Sequence, residues 1–281
     1  MKIEQFLRKQ QQKALSLGKE ESAVIIYMMH ITGYSSSELY IHLHDKVTDE
    51  IIHKFETEFS DYLYKNKPIQ YIVGYQTFYG YDYLVDDRVL IPRFETEELV
   101  ENVLYLYEDY FDGKEVTVCD IGTGSGAIAI TLAKEEKNMK VWATDISFDA
   151  LEVANKNNQK YDAGVTFLQG DMVEPLYGLK FDIIVSNPPY IPTVEVVDSL
   201  VKDNEPNVAL FGGEDGLKFY RIIVENLHKI AKEKFILAFE HGYNKNQEIE
   251  ELILKYYPGA KVIHKKDMQG KDRMSFAIVG E

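Results

Sequence analysis

Ser186-Asn187-Pro188-Pro189-Tyr190 is the stretch of this chain best equipped for chemistry. It ends the apolar run Phe181-Asp182-Ile183-Ile184-Val185, whose β-branched content and abrupt Pro stop predict a buried strand. Two successive prolines remove two backbone donors and fix φ at both places. They hold the Asn187 carboxamide and the Pro188 carbonyl in a stiff shape, with Tyr190 close by. Two acceptors side by side suit a flat –NH2 group. Such a nitrogen is a poor nucleophile while its lone pair is conjugated. Acceptors on its hydrogens orient it and stabilise the positive charge that grows as it attacks. A proline turn that merely ends a strand is the competing reading.

A second constellation lies upstream. Val116 to Ile121 predicts a strand, Ala127 to Lys134 a helix, and Val141 to Thr144 a second strand ending in Asp145. Gly122-Thr123-Gly124-Ser125-Gly126 joins the first strand to the helix, so a backbone can approach a ligand closely, and Asp145 is placed to hold both hydroxyls of a ribose. Gly122, Gly124 and Ala127 also satisfy the dinucleotide fingerprint. Asp120 argues against a dinucleotide: a carboxylate just before the loop repels a pyrophosphate and favours a cation, such as the ammonium or sulfonium of S-adenosylmethionine. Val165 to Leu168 predicts a third strand, closed by Gln169-Gly170-Asp171-Met172. Asp171 suits an adenine amino group as acceptor, and Met172 offers the ring a soft apolar wall. Ligands of open α/β sheets sit beyond the carboxyl ends of the strands. The Asn187 corner therefore falls beside this pocket, where a methyl cation equivalent would meet an amide-like nitrogen.

Arg93, between Pro92 and a helix start, is placed to line a pocket or to sit in a solvated turn. His241, at the tip of a strand over Phe235 to Phe239, is a candidate general base. A structural role is the better reading, because a methylated amide loses its proton to water without help.

The elements that must position these groups fall into three parts. Residues 1–66 read as a small all-helical domain: Gly18 and Gly33 as helix ends, a Ser35/Glu38 capping box, a Thr48 cap, and an apolar face of Ile51, Ile52, Phe55, Phe59, Tyr62 and Leu63. Such an add-on serves to dock a substrate or merely to cap the fold; docking is the preferred reading, by analogy with other catalytic folds. Residues 67–93 read as a β-hairpin connector, with strand character from Gln70 to Leu90. Residues 94–281 read as the catalytic domain, opened by a helix with Thr96 as N-cap and reaching about Tyr110. Further helices are expected over Leu217 to Ala231 and Lys245 to Tyr256. Closing strands are expected at Val262-Ile263 and Phe276 to Val279, joined by a solvated charged hairpin over Lys265 to Arg273.

Composition bounds the function. With 281 residues, 45% of them apolar, the chain can bury a substantial core. A formal net charge of −15 argues against a non-specific grip on nucleic-acid backbones, though not against a local basic patch. Cys119 is the single cysteine, so no intramolecular disulfide forms, and a reducing compartment fits. His42 and His44 lie on different sides of a helix with no cysteine to join them, so no metal site is expected. The N-terminus lacks a signal-peptide core, and Ala23 to Met29 falls far short of the ~20 apolar residues that span a bilayer. A cytoplasmic protein with no membrane contact is expected.

From Gln70 to Ala277 the chain resembles the peptide chain release factor N5-glutamine methyltransferases. The resemblance is carried by Gln70-Tyr71-Ile72-Val73-Gly74, Ile91-Pro92-Arg93 with Thr96-Glu97, Asp120-Ile121-Gly122-Thr123-Gly124-Ser125-Gly126 and Ser186-Asn187-Pro188-Pro189-Tyr190-Ile191. Asn204-Glu205-Pro206 and Glu240-His241-Gly242 also match. Asn-Pro-Pro-Tyr alone is shared with N6-adenine DNA methyltransferases and some RNA methyltransferases; the Ile-Pro-Arg to Thr-Glu segment narrows the match. The resemblance implies an α/β fold: a seven-stranded, Rossmann-like class I methyltransferase domain using S-adenosylmethionine, preceded by the helical domain and the hairpin connector. It implies that the glycine loop contacts the methionine portion of the cofactor, Asp145 the ribose and Met172 the adenine. It further implies that Asn187 to Tyr190 hold the glutamine of a release factor's Gly-Gly-Gln loop. Some relatives carry an aromatic residue where this chain has Met172. An N6-adenine nucleic-acid methyltransferase is the alternative; it needs a base-flipping surface and a target-reading domain, which the short helical segment and the negative charge disfavour.

Overall fold

The structure is a computed structural model and describes residues 1–196 and 199–280. The chain forms two compact units. The first holds six helices from its N-terminal part: α1 (Ile3–Ser16), α2 (Ser22–Thr32), α3 (Ser36–Ile41), α4 (Asp49–Thr57), α5 (Phe59–Lys65) and α6 (Ile69–Val73). Local chemistry sets their ends. Gly33 is left-handed after α2, Ser35 and Glu38 form a reciprocal capping box on α3, and the Thr48 hydroxyl accepts from Ile51 N at the start of α4. An aromatic cluster holds the bundle: Tyr27 packs edge-on to Phe55 (4.9 Å) and stacks on Phe59 (5.2 Å). The buried Tyr27 hydroxyl donates to Glu58 Oε2 at 2.9 Å.

The connector departs from expectation. Ile69–Val73 is a helical turn, not a strand, despite its β-branched and aromatic residues. Pro68 starts it, left-handed Gly74 ends it, and Ile69, Tyr71 and Val73 bury their side chains, so tertiary packing overrides strand propensity. The hairpin is confined to β1 (Tyr75–Phe78) and β2 (Tyr81–Leu84).

The second unit is built on a seven-stranded sheet. Its elements run α7 (Phe94–Phe111), β3 (Val116–Ile121), α8 (Ala127–Glu135), β4 (Met139–Asp145), α9 (Phe148–Tyr161), β5 (Thr166–Gln169) and β6 (Phe181–Ser186). The short helix α10 (Ser199–Lys202) follows, and belongs to the first unit. The chain then adds α11 (Lys218–Ile230), β7 (Ala231–Glu240), α12 (Asn246–Tyr256), β8 (Lys261–Lys266) and β9 (Asp272–Val279). The strand order is β5-β4-β3-β6-β7-β9-β8, parallel except for β9, which inserts antiparallel between β7 and β8. Strands of such a sheet, covered on both faces, read as continuous apolar runs, and every residue of β6 is buried. Two apolar clusters cover the two faces, one through α7 and α8, the other through α11 and α12. The chain lays down β3, β4 and β5 in one direction and then returns to place β6 on the other side of β3. The β3/β6 junction is therefore the topological switch point. No helix among the described residues is long and apolar enough to cross a membrane.

The charged β8–β9 connection is less solvated than its composition suggests. Asp267 is buried, accepts from Gln269 N and Lys271 N, and pairs with Arg273. Met268 N donates to Glu98 Oε1, which ties the loop to α7.

Gly126 shows how tightly α8 is seated. Its φ is +83°, and a Cβ there would lie 2.8 Å from Ile130 Cδ1 and 3.3 Å from Ala154 Cβ. Gly126→Ala is expected to cost about 1–3 kcal/mol, from left-handed backbone plus overpacking. A denaturant midpoint equal to that of the parent would show that α8 and α9 can part without cost.

Candidate active site

The switch point brings the two chemical stretches together. Asp120 of β3 is in register with Val185 of β6, and the buried Ser186 hydroxyl donates to the Ile121 carbonyl at 2.6 Å. The glycine loop and the Asn187 corner thus leave adjacent strand ends. A cavity opens there. Gly122, Gly124, Asp145, Asp171, Met172 and Asn187 line it, and Pro189, Pro206, Val208 and Phe219 contribute an apolar wall.

Asn187 is held from behind. Its Nδ2 donates to Thr96 Oγ1 at 3.2 Å, and the Thr96 hydroxyl donates to Glu240 Oε2 at 2.6 Å. The Asn187 amide nitrogen also helps to hold the Glu240 charge, while Oδ1 accepts no hydrogen bond among the described residues. Thr96 is therefore not the cap of α7, as its sequence context suggests. The helix starts at Phe94, two residues earlier, and the Thr96 side chain turns into the core. Burial pushes the Glu240 carboxyl up to about 7, against the lowering pull of the Thr96 hydroxyl and Arg273.

The corner is also braced from outside. Ile191 N donates to Leu210 O and Gly212 N to Ile191 O. A Cβ on Gly212 would lie 2.4 Å from the Pro189 carbonyl oxygen, and one on Gly216 2.3 Å from that of Tyr190. Only a strap without side chains fits so closely. The Tyr190 ring lies against Gly242 and does not line the cavity. Its hydroxyl is pushed up to about 12, by burial and then by Glu240.

Asp145 is pre-arranged: Oδ2 accepts from Gly124 N (2.8 Å) and Oδ1 from Ser147 N (2.9 Å). Met172 sits in the left-handed region at φ +46°, its carbonyl held by the Thr144 hydroxyl. A non-glycine residue there marks a position that its surroundings over-determine. Asp120 lies beneath the loop, fully buried. Thr123 donates to its Oδ2 at 2.6 Å, while Oδ1 has no partner among the described residues.

Comparisons with known proteins bear on the family. The family model "Methyltransferase small domain" matches residues 100–206, and "PrmC N-terminal domain" matches residues 4–74. The chain is 43% identical to the release factor glutamine methyltransferase of Bacillus subtilis, covering 93% of this chain and 92% of that protein. It is 42% identical to the Bacillus cereus protein of the same name, covering 92% and 93%. The chain belongs to the release factor glutamine methyltransferase family. A solved methyltransferase from Pyrococcus furiosus, 21% identical, superposes with a TM-score of 0.53 over 72% of this chain and 90% of that one, which bears on the fold alone.

Of the residues that sequence singled out, the cavity gathers Gly122, Gly124, Asp145, Asp171, Met172, Asn187 and Pro189. Asp120, Thr123, Ser125, Gly126 and Pro188 do not line it: the side chains of Asp120, Thr123 and Ser125 are buried in the fold, and Pro188 makes the turn. Arg93 stands apart from the cavity: it donates to the buried Glu205 at 2.5 Å, and Glu205 Oε2 accepts from Ile91 N. Arg93 thus locks Ile91-Pro92-Arg93 to the Glu205-Pro206 segment whose Pro206 lines the cavity. His241 is buried with both ring nitrogens engaged, Nδ1 to the Gly242 carbonyl and Nε2 to Ser275 Oγ. It does not face the cavity. Sequence reading missed Thr96 and Glu240 as supports of Asn187. Their one signal was that Thr96-Glu97 and Glu240-His241-Gly242 both belong to the family pattern.

Burial pushes the Asp120 carboxyl up to about 7, although the Thr123 hydroxyl pulls it down. An unfolded Asp ionises near ~4, so folding is progressively opposed as pH rises from there to about 7. Asp120→Asn is expected to raise stability above the parent by an amount that opens over that window and then stays constant. It should also weaken binding of a cationic ligand. Unfolding midpoints at pH 5 and pH 8 test the first point; an equal difference at both would show that Asp120 is not the group responsible.

Proposed function

We propose that this enzyme methylates the side-chain amide nitrogen (N5) of the glutamine in the Gly-Gly-Gln motif of peptide chain release factors, with S-adenosylmethionine as donor. One observation carries the reading: Asn187 lines the cavity with its Nδ2 engaged by Thr96, and neither its oxygen nor the adjoining Pro188 carbonyl accepts a hydrogen bond among the described residues. Two fixed acceptors match the two hydrogens of a primary amide.

The residues present fit the donor. An unpaired buried carboxylate under the loop favours a cation above it, because Coulomb attraction is strong at low dielectric. Gly122 and Gly124, both left-handed, leave the front of the loop bare. Asp145 keeps a lone pair on each oxygen for ribose hydroxyls, and Asp171 and Met172 flank the place for an adenine. When bound, S-adenosylmethionine supplies an electrophilic methyl group. Asn187 Oδ1 and the Pro188 carbonyl then orient the glutamine –NH2 and stabilise the charge that grows on its nitrogen. Tyr190, whose ring lies against Gly242 rather than in the cavity, buttresses the corner, and Arg93 acts by holding the segment beside it. The proton leaves to water, so no base is required, in keeping with the engaged ring of His241. The helical unit exposes Tyr40, Ile41 and Tyr64, and serves to grip the release factor. Release factors act in the cytoplasm, which places the enzyme there.

Incubation with methyl-labelled cofactor and either release factors or DNA tests the reading, with the labelled atom mapped afterwards. Label on glutamine N5 of the Gly-Gly-Gln loop is expected. Label on adenine N6 would establish the nucleic-acid alternative instead. Asn187→Ala should cut turnover by on the order of 10² while cofactor affinity changes little. A joint loss of affinity and turnover would assign Asn187 to cofactor binding.

A further inference from the structure

Thr96 Oγ1 stands between Glu240 Oε2 at 2.6 Å and Asn187 Nδ2 at 3.2 Å, linking residues 144 and 91 positions away in the chain. Thr96 and Glu240 are buried, so water does not intervene freely. A hydroxyl has one proton to give. With Glu240 ionised, Thr96 must spend that proton on the carboxylate, and its oxygen is left only to accept. The group facing it from Asn187 is then necessarily –NH2, and Oδ1 is turned to the cavity. With Glu240 protonated the chain can run the other way. Glu240 donates to Thr96, Thr96 donates to the Asn187 oxygen, and the carboxamide turns over to present –NH2.

We propose that Glu240, acting through Thr96, is a positioning residue that sets which end of the Asn187 carboxamide meets the substrate, and so selects a primary amide over a carboxylate. The proposal deepens the glutamine-methylation reading and rests on it. The groups around Glu240 come from several elements. Arg273 of β9 favours its charge and Glu95 of α7 opposes it. Tyr190 beyond β6 also feels it. Tyr220 of α11 donates its hydroxyl to the Glu240 backbone carbonyl. His241, next along, has its pKa lowered by burial. The balance leaves the Glu240 carboxyl near 7, where a change of proton occupancy alters the site.

The test uses the whole protein, saturating cofactor and a release factor as substrate. Parent kcat should fall as pH drops through about 7, and Glu240→Gln should lose that acid limb. Thr96→Val should lower kcat by about tenfold or more, with cofactor affinity by calorimetry within about twofold, as a small misplacement of an orienting group does. Thr96→Ser, which keeps the hydroxyl, should restore most of kcat. A release factor carrying Glu in place of the target Gln serves as competitor. The parent should discriminate against it, and Thr96→Val should bind it relatively better. Matching thermal midpoints separate these effects from unfolding. Unchanged kcat, pH profile and Gln/Glu preference in Thr96→Val would overturn the proposal while the functional reading stood. A parent that places no label on glutamine would bring down that reading, and the proposal with it.

Discussion

The parallel pairing of β3 with β6 is the constraint on which the site depends. Neighbouring strands lie about 4.8 Å apart, and the Asp120–Val185 register makes both end at the same level. The Ser186 hydroxyl ties the two ends by bonding to the Ile121 carbonyl. A glycine loop and a proline corner far apart in the chain thereby become two walls of one cavity. A slip of one residue would turn the alternate face of β6 towards its partners and carry Asn187 away from Gly124. The site is thus a property of the sheet's topology before it is a property of any side chain.

What the topology brings close, separate braces make stiff. Pro188 and Pro189 restrict the corner from within. The strap from Leu210 to Gly216 presses on it from outside, so closely that no Cβ fits at Gly212 or Gly216. The Arg93–Glu205 pair holds the segment that carries Pro206. Thr96 and Glu240 fix the carboxamide's rotation. Each brace comes from a different part of the sheet unit. If the proposed function holds, geometry of this kind is what lets two neutral acceptors act on a weakly nucleophilic nitrogen, because no reorganisation is left to be done at the moment of reaction.

Much of this was legible in the sequence, and the division is instructive. Strands β3, β4, β6 and β7, the glycine loop and the caps at Ser35 and Thr48 are written in local patterns, and these the chain obeys. Thr96 was misread because its chemistry matches a helix cap equally well, and its true partner lies 144 residues on. Residues 70–73 read as strand because their propensity is that of a strand; Pro68, Gly74 and the buried side chains decide otherwise. The charge of Asp120 was readable, but not that one of its oxygens is buried without a partner. Arg93 looked like a pocket residue because Glu205, which occupies it, is remote in sequence. In each case the missing information is long-range, and a single sequence encodes it only in the final packing.

Two buried acids show how such a site relates to stability. Glu240 has the Thr96 hydroxyl, the Asn187 amide and Arg273 to favour its charge, although burial still outweighs them. Asp120 has the Thr123 hydroxyl on one oxygen and nothing among the described residues on the other. An amide of the same shape would satisfy the position with less penalty, since an unpaired buried charge is among the most costly groups a core can hold. The carboxylate is therefore not explained by the fold. Under the proposed function it is explained by what the loop above it must attract, because a cation held there would complete an interaction that the fold leaves open. On that proposal the glycine loop and Asp120 would be one device, destabilised in advance so that binding of the donor restores what folding gave up.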